Sequence, residues 1–496
     1  MKKSLISILL LPFLFVACSE DAENLGVTQR SFENSSDYEA GPGYTDPNGK
    51  YNEIVENPFI KTKDENVSTF SIDADGASYS NVRKHLVDYE TLPPADAIRT
   101  EELINYFDFD YPAPTGSDPI SVNIEMAETP WNNDHRLLRI GLKGKVIPEN
   151  ELPTGNYVFL VDVSGSMNSE DKLGLVQYGL NKMVDELDDN DQVGLVTYAS
   201  NPRTVLAPTK AKDSRTIKNA IDDLSSGGST NGEGGITTAY ALAEEHFIEG
   251  GNNRIVLCTD GDFNVGISNE NELVKLIEQY RDKNIFLTVV SVGHSYNDAA
   301  MEQLANKGNG TFEYADSEKQ AERVFAQKLS RMLTVAKDVK IQVEFNPNAV
   351  AQYRLIGYEN RLLENEDFED DTKDAGEIGM GQTITALYEV VTVNNAAKNQ
   401  SSLTFNFRYK DPEGTSSKEI STTYIDKYGS FNNASNEFRF AAAVASWGLV
   451  LRDSDYKGNA TYSDIEKWAK GAIGQDSDGS RSEFIDLVGL SQKFDD

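Results

Sequence analysis

Between residues 156 and 334, short apolar runs of strand length are separated by amphipathic segments of helix length, and this rhythm constrains the fold more than any other feature. Strands are predicted at 157–161, 192–199, 254–259, 285–292 and 311–314, with a short edge strand at 204–206. Helices are predicted at 172–187, 213–224, 234–247, 270–282, 298–307 and 318–333, the second opening on an Asp213 cap. Continuous apolar runs mark strands buried on both faces, and strand–helix alternation yields an α/β, doubly wound, mostly parallel sheet.

In open sheets of this kind, ligands sit beyond the carboxyl ends of the strands. The first strand runs directly into Asp162-Val163-Ser164-Gly165-Ser166-Met167. Oxygen-bearing side chains at every second position suit a hard divalent cation: a carboxylate supplies charge, hydroxyls supply neutral oxygens, and Gly165 lets the backbone turn tightly. The same residues also read as a capping turn before the next helix, and the motif alone does not choose. Two further stretches bear on it. Gly227-Gly228-Ser229-Thr230-Asn231-Gly232 is a turn carrying a hydroxyl, and the strand 254–259 ends in Asp260-Gly261-Asp262.

Taken together, these stretches resemble the von Willebrand factor type A domain and its metal-ion-dependent adhesion site. The resemblance implies that Asp162, Ser164, Ser166, Thr230 and Asp260 hold one divalent cation. Ser164, Ser166 and Thr230 would bind directly, with Asp162 and Asp260 acting mostly through water. A cation with so little direct carboxylate stays electrophilic and keeps a position for an Asp or Glu of a partner protein. Magnesium fits an octahedral all-oxygen site, with manganese or calcium as substitutes. The expected role is non-enzymatic adhesion. An envelope scaffold with a structural metal is the alternative, and a metal-dependent hydrolase using Glu233 or Asp262 as base is the remote one.

Other chemistries lack their parts. Val163-Ser164-Gly165-Ser166-Met167 is not a Gly-x-Ser-x-Gly nucleophile elbow. His85, His135 and His246 form no metal-ligand spacing, and His294 reads as loop surface at the same end of the sheet. The Gly-rich stretch 227–235 lacks the Gly-Lys-Ser/Thr of a phosphate loop, which argues against a nucleotide. A net charge of −34 argues against nucleic acid or anionic headgroups as direct partners. Cys258, inside a predicted buried strand, reads as an inert core residue.

The amino terminus predicts the compartment. Met1-Lys2-Lys3, an apolar run over 4–17 and then Cys18 read as a signal peptide (1–17). The segment resembles the bacterial lipoprotein signal, which implies cleavage before Cys18, a lipid on that residue, and membrane contact through this anchor alone. Ser19-Glu20-Asp21-Ala22-Glu23 resembles the acidic export signal of bacterial surface lipoproteins, placing the chain on the outer face of the outer membrane. Residues 18–66 are expected to form a lipidated flexible tether.

The segment 67–150 is expected to be α+β, with helices at 81–89 and 100–107 and strands at 121–127 and 137–142. Asp73-x-Asp75-Gly76 lacks the later ligands of a calcium loop and reads as a turn. Strands are predicted at 338–345, 352–358, 382–393 and 403–409, around an acidic solvated loop at 364–374. They are expected to pair with the two strands before the α/β domain, making 156–334 an insertion in a β-sandwich completed by 335–430. A small helical region fills 431–496. Phe70-Ser71-Ile72-Asp73-Ala74-Asp75-Gly76-Ala77-Ser78-Tyr79, Pro130-Trp131-Asn132 and Arg354-Leu355-Ile356-Gly357-Tyr358-Glu359-Asn360-Arg361 resemble a bacterial family of von Willebrand A lipoproteins, a likeness extending over 67–490.

Overall fold

Six strands form the sheet that carries the Asp-x-Ser-x-Ser segment, in the order Phe312–Ala315, Ile285–Val292, Asn252–Thr259, Gly155–Asp162, Gln192–Tyr198 and Arg203–Lys210. All neighbours run parallel except the last pair, which is antiparallel. The computed structural model describes residues 51, 53–72, 75–261, 270–293, 298–328, 333–373, 375–393, 400–412 and 414–495. Asp262, His294, Cys18 with its leader, and the tether up to residue 50 lie outside the described residues.

The two-residue period of the central strand sorts its side chains between two cores. Val158 and Leu160 pack with Ile236, Tyr240, Ile277 and Leu304 of the helices on one face. Phe159 and Val161 pack with Val176, Leu180, Ile217 and Phe325 on the other. Both faces are therefore apolar and covered, as a parallel sheet requires. Cys258 lies fully buried in the second of these cores, and burial pushes its thiol pKa up, as expected of an inert residue.

The α/β module is an insertion. The hairpin Ile120–Thr129 and Asn132–Gly144 precedes it, and Asn132–Gly144 pairs antiparallel with Thr383–Thr392, which follows it. Val350–Ile356 and Ile60–Lys61 extend that sheet. In the second sheet, Thr334–Phe345 bonds to Leu403–Lys410 on one edge and to Gly376–Gly379 and Val67–Ser71 on the other. One core joins the two sheets, including Phe70, Ile140, Leu142, Ile341, Phe345, Tyr388 and Phe407.

Several expected boundaries shift. The tether expected to reach residue 66 is already packed at Asn57, whose buried amide donates to Leu355 O and Gly357 O at 3.2 and 2.8 Å. The acidic loop is pinned to the sandwich: Arg408 meets Glu369 at 3.0 Å, and Lys340 donates to Asp367 O and Asp370 O. Ser417–Tyr424, which pairs with Leu403–Lys410, was not expected, because its polar composition suits an edge rather than a core. The short edge strand at 204–206 is the longer Arg203–Lys210. The helix expected from residue 172 opens as a π-turn, Glu170–Gly174, before Leu175–Glu186. Asp213 precedes Ser214–Asp222 without making a side-chain cap bond.

The expected carboxy-terminal helices are present and pack on the segment before the inserted module. Asn436–Leu451, Tyr462–Lys470 and Ser480–Asp495 share a core with Ala77–Val87 and Thr100–Asn105. Tyr79 stacks on Tyr106 at 3.8 Å, and Trp447 Nε1 donates to Ser491 Oγ at 3.0 Å. Ala77–Val87 also packs against Phe312–Ala315, covering an edge strand that would otherwise be open to pairing. Asp75, from the loop first weighed for calcium, is buried and accepts the Phe312 N–H at 2.9 Å, so it works as a structural anchor. Nearby, Arg99 meets Glu102 at 2.8 Å and Glu302 of the inserted module at 2.7 Å, and Arg361 approaches Glu302 and Asp75 at 3.5 Å each.

Candidate metal centre

Asp162 ends the central strand, and its carboxyl is fully buried between two parallel neighbours. Its Oδ1 accepts the Ser164 backbone N–H at 2.8 Å, which folds the chain back over the carboxylate. That turn places Ser164 Oγ 2.9 Å from Ser166 Oγ. Ser164 is buried while Ser166 is exposed, so the pair leads from the floor of the site to solvent. The Asp162 pKa is pushed up to about 6, first by burial and further by the charge of Asp260, against the lowering effect of the Ser164 hydrogen bonds.

The second carboxylate arrives from the adjacent strand. Asp260 follows Asn252–Thr259 and is buried. Thr259 Oγ1 donates to Asp162 Oδ2 at 3.5 Å and accepts the Gly261 N–H at 3.2 Å, linking the two strand ends. Tyr198, at the end of the other neighbour, lies against Asp162; burial and that carboxylate drive its phenol pKa upward.

Backbone hydrogen bonds place the third loop. Gly227 N donates to Val163 O at 2.7 Å, and Gly165 N donates to Gly228 O at 3.0 Å. This seam carries half-buried Thr230, two residues on, toward the same edge, just ahead of Gly232–Glu245, which Asn231 caps through the Gly234 N–H at 3.2 Å. Thus Asp162, Ser164 and Ser166 are joined directly, Asp260 lies within electrostatic reach of Asp162, and Thr230 is positioned through its loop. Glu233 is exposed in the first turn of the capped helix.

The side chains fit a hard divalent cation. Two buried carboxylates within electrostatic reach of each other and two paired hydroxyls make an all-oxygen set whose negative charge favours a cation. Among the described residues no group of three or more His, Cys, Asp or Glu is arranged to hold a metal.

One neighbour was missed in the sequence. Lys172, in the π-turn, donates to Asp260 Oδ2 at 2.9 Å and to Ser166 O at 3.0 Å. A single lysine at the head of an amphipathic helix reads as a solvated charge, and only the loops packed around it bring it to the site.

Residues 156–327 match the family profile described as von Willebrand factor type A domain, and residues 46–139 match that described as von Willebrand factor. Residues 330–494 match the one described as Uncharacterized protein YfbK, C-terminal. The uncharacterized protein YfbK of Escherichia coli (strain K12) is 38% identical over 484 residues, covering 92% of this chain and 83% of its own length. This chain belongs to the YfbK-like family of von Willebrand A domain proteins. Inter-alpha-trypsin inhibitor heavy chain H4 of Bos taurus is 26% identical over 207 residues, 39% of the YfbK-like chain and 22% of the inhibitor chain. A solved von Willebrand factor type A protein from Catenulispora acidiphila shares 13% identity, covering 76% of this chain and 88% of its own, with a TM-score of 0.42. Von Willebrand A domains commonly bind a divalent metal at their adhesion-site motif.

Proposed function

We propose that the chain is a non-enzymatic, divalent-metal-dependent protein-binding module, in which an Asp or Glu of a partner completes the shell of an ion held by Asp162, Ser164, Ser166, Thr230 and Asp260. The observation that carries the reading is the Ser164–Ser166 hydroxyl pair over two buried carboxylates at the carboxyl edge of the sheet. An ion so held would supply a Lewis-acidic position open toward solvent through Ser166. Magnesium is the ion the oxygen set favours, with manganese or calcium able to replace it. The basic and apolar leader ending at Cys18 supports anchoring to the cell envelope by lipid, and the acidic residues after it support the outer face of the outer membrane.

The test is affinity capture from cell-surface extracts with wild type and Asp162→Ala, in magnesium and in chelator. Capture that needs both magnesium and Asp162 is expected; equal capture in chelator removes the adhesion reading. A large magnesium-induced rise in melting temperature without any metal-dependent capture would instead favour a scaffold with a structural ion.

A further inference from the structure

Resting on the metal reading above, we infer that Lys172 is a tethered cation that competes with the divalent ion at Asp260 and thereby sets the metal affinity of the site. Its ammonium lies 2.9 Å from Asp260 Oδ2 and 3.0 Å from Ser166 O, so it contacts two of the five residues assigned to the ion. Both side chains are largely withdrawn from water, at 18% exposed for Lys172 and 3% for Asp260. A contact this sheltered is screened far less than a surface ion pair.

The position of the ammonium is built rather than incidental. The methylene stem of Lys172 lies on Gly293, which follows Ile285–Val292 with φ +83. A Cβ at residue 293 would stand 2.6 Å from Lys172 Cε and 2.9 Å from Cγ, so the bare glycine, favoured there by its positive φ, leaves the stem its present line. Gly293 is itself fixed, its carbonyl accepting from Lys84 Nζ and from the Tyr314 hydroxyl. Helix Ala77–Val87 thus holds the strip of backbone along which Lys172 reaches the metal residues. The π-turn Glu170–Gly174 supplies the other end of the reach.

The electrostatic consequence is direct. Asp162 and Asp260 are both buried carboxylates, and Lys172 sits on the second of them as a counter-charge. A divalent ion entering between the aspartates meets an ammonium already in contact with one. Either the ammonium is displaced or the ion binds against its repulsion, and both lower the affinity. The lysine therefore acts as an internal counter-ion, which steadies the carboxylate pair and reserves metal loading for high free-ion concentrations.

The experiment measures manganese binding to the full-length chain by calorimetry and by the manganese EPR signal, for wild type, Lys172→Gln, Lys172→Arg and Asp162→Asn. Lys172→Gln is expected to tighten binding by about tenfold, within the range that groups around metal ligands typically contribute. Lys172→Arg, keeping the charge, is expected to stay near wild type. Amine-reactive labelling read by mass spectrometry adds a direct view, with Lys172 expected to modify faster in manganese than in chelator. Manganese should also raise the melting temperature of Lys172→Gln more than that of wild type. Unchanged or weaker binding by Lys172→Gln, while Asp162→Asn abolishes binding, overturns the proposal and leaves the metal site standing. Equal tightening by the Arg variant, or labelling indifferent to manganese, overturns it as well. Wild-type affinity in Asp162→Asn removes the metal reading itself, and this inference with it.

Discussion

Arg99 Nη1 lies 2.7 Å from Glu302 Oε2, joining the segment that precedes the inserted module to a helix within it. The same guanidinium holds Glu102 at 2.8 Å, so one buried cation serves two carboxylates. Arg99→Met removes the closest cation from both buried acids, leaving Glu302 to the more distant Arg361 at 3.5 Å, and a loss of about 3–5 kcal/mol is expected in urea unfolding. Adding Glu302→Gln should restore part of that loss; no recovery would place the damage elsewhere.

Glu377 gives the domain junction a pH dependence. Its carboxyl accepts from Thr334 Oγ1 at 2.8 Å and Asn309 Nδ2 at 2.5 Å, and burial pushes its pKa up to about 7. The folded state holds this proton across a range where the unfolded chain has released it. Stability from this group is therefore full below about pH 4.5 and is lost as pH rises toward 7. Chemical-denaturation midpoints across that window should fall with rising pH in wild type, and Glu377→Gln should flatten the slope.

Asp162→Asn separates charge from geometry. An amide oxygen can still accept the Ser164 N–H, so the turn survives while the charge at the floor of the site is gone. Divalent-ion affinity measured by calorimetry should drop by about 100-fold or more, at the upper end of what neighbouring groups contribute. Circular dichroism should stay as in wild type.

The seam between the two loops makes a separate demand on Gly228. Its φ of +92 is costly for any other residue, and a Cβ there would meet Ser200 Oγ at 2.7 Å. Gly228→Ala should cost about 1–3 kcal/mol of stability. It should also weaken metal binding, because Gly228 O holds Gly165 while its loop carries Thr230. Unaltered metal affinity would show that the loop has a second support.

The parallel sheet was legible because Val158, Leu160, Ile255 and Leu257 repeat an apolar pattern that only a covered sheet satisfies. The insertion was legible too, since strands flanking the module needed partners and found them in each other. Ser417–Tyr424 escaped notice because only Ile420 and Tyr424 among its polar residues turn toward the core, too few to mark a strand. The interlock of Trp447 and Phe484 with Tyr79 joins residues far apart in sequence, and no local pattern announces that contact. Lys172 was hidden for a related reason: its meaning lies in the loops around it and not in its own neighbours along the chain.

The inserted module is joined to the sandwich by Asn132–Gly144 on one side and Thr334–Phe345 on the other, and each is an interior strand with hydrogen-bonded neighbours on both edges. Tension applied at the far end of the module would leave it through these two stalks together. Each stalk is laddered on both edges, so neither can leave its sheet without breaking hydrogen bonds to two neighbours. The module's base is thereby rooted in the interior of both sheets rather than at their rims.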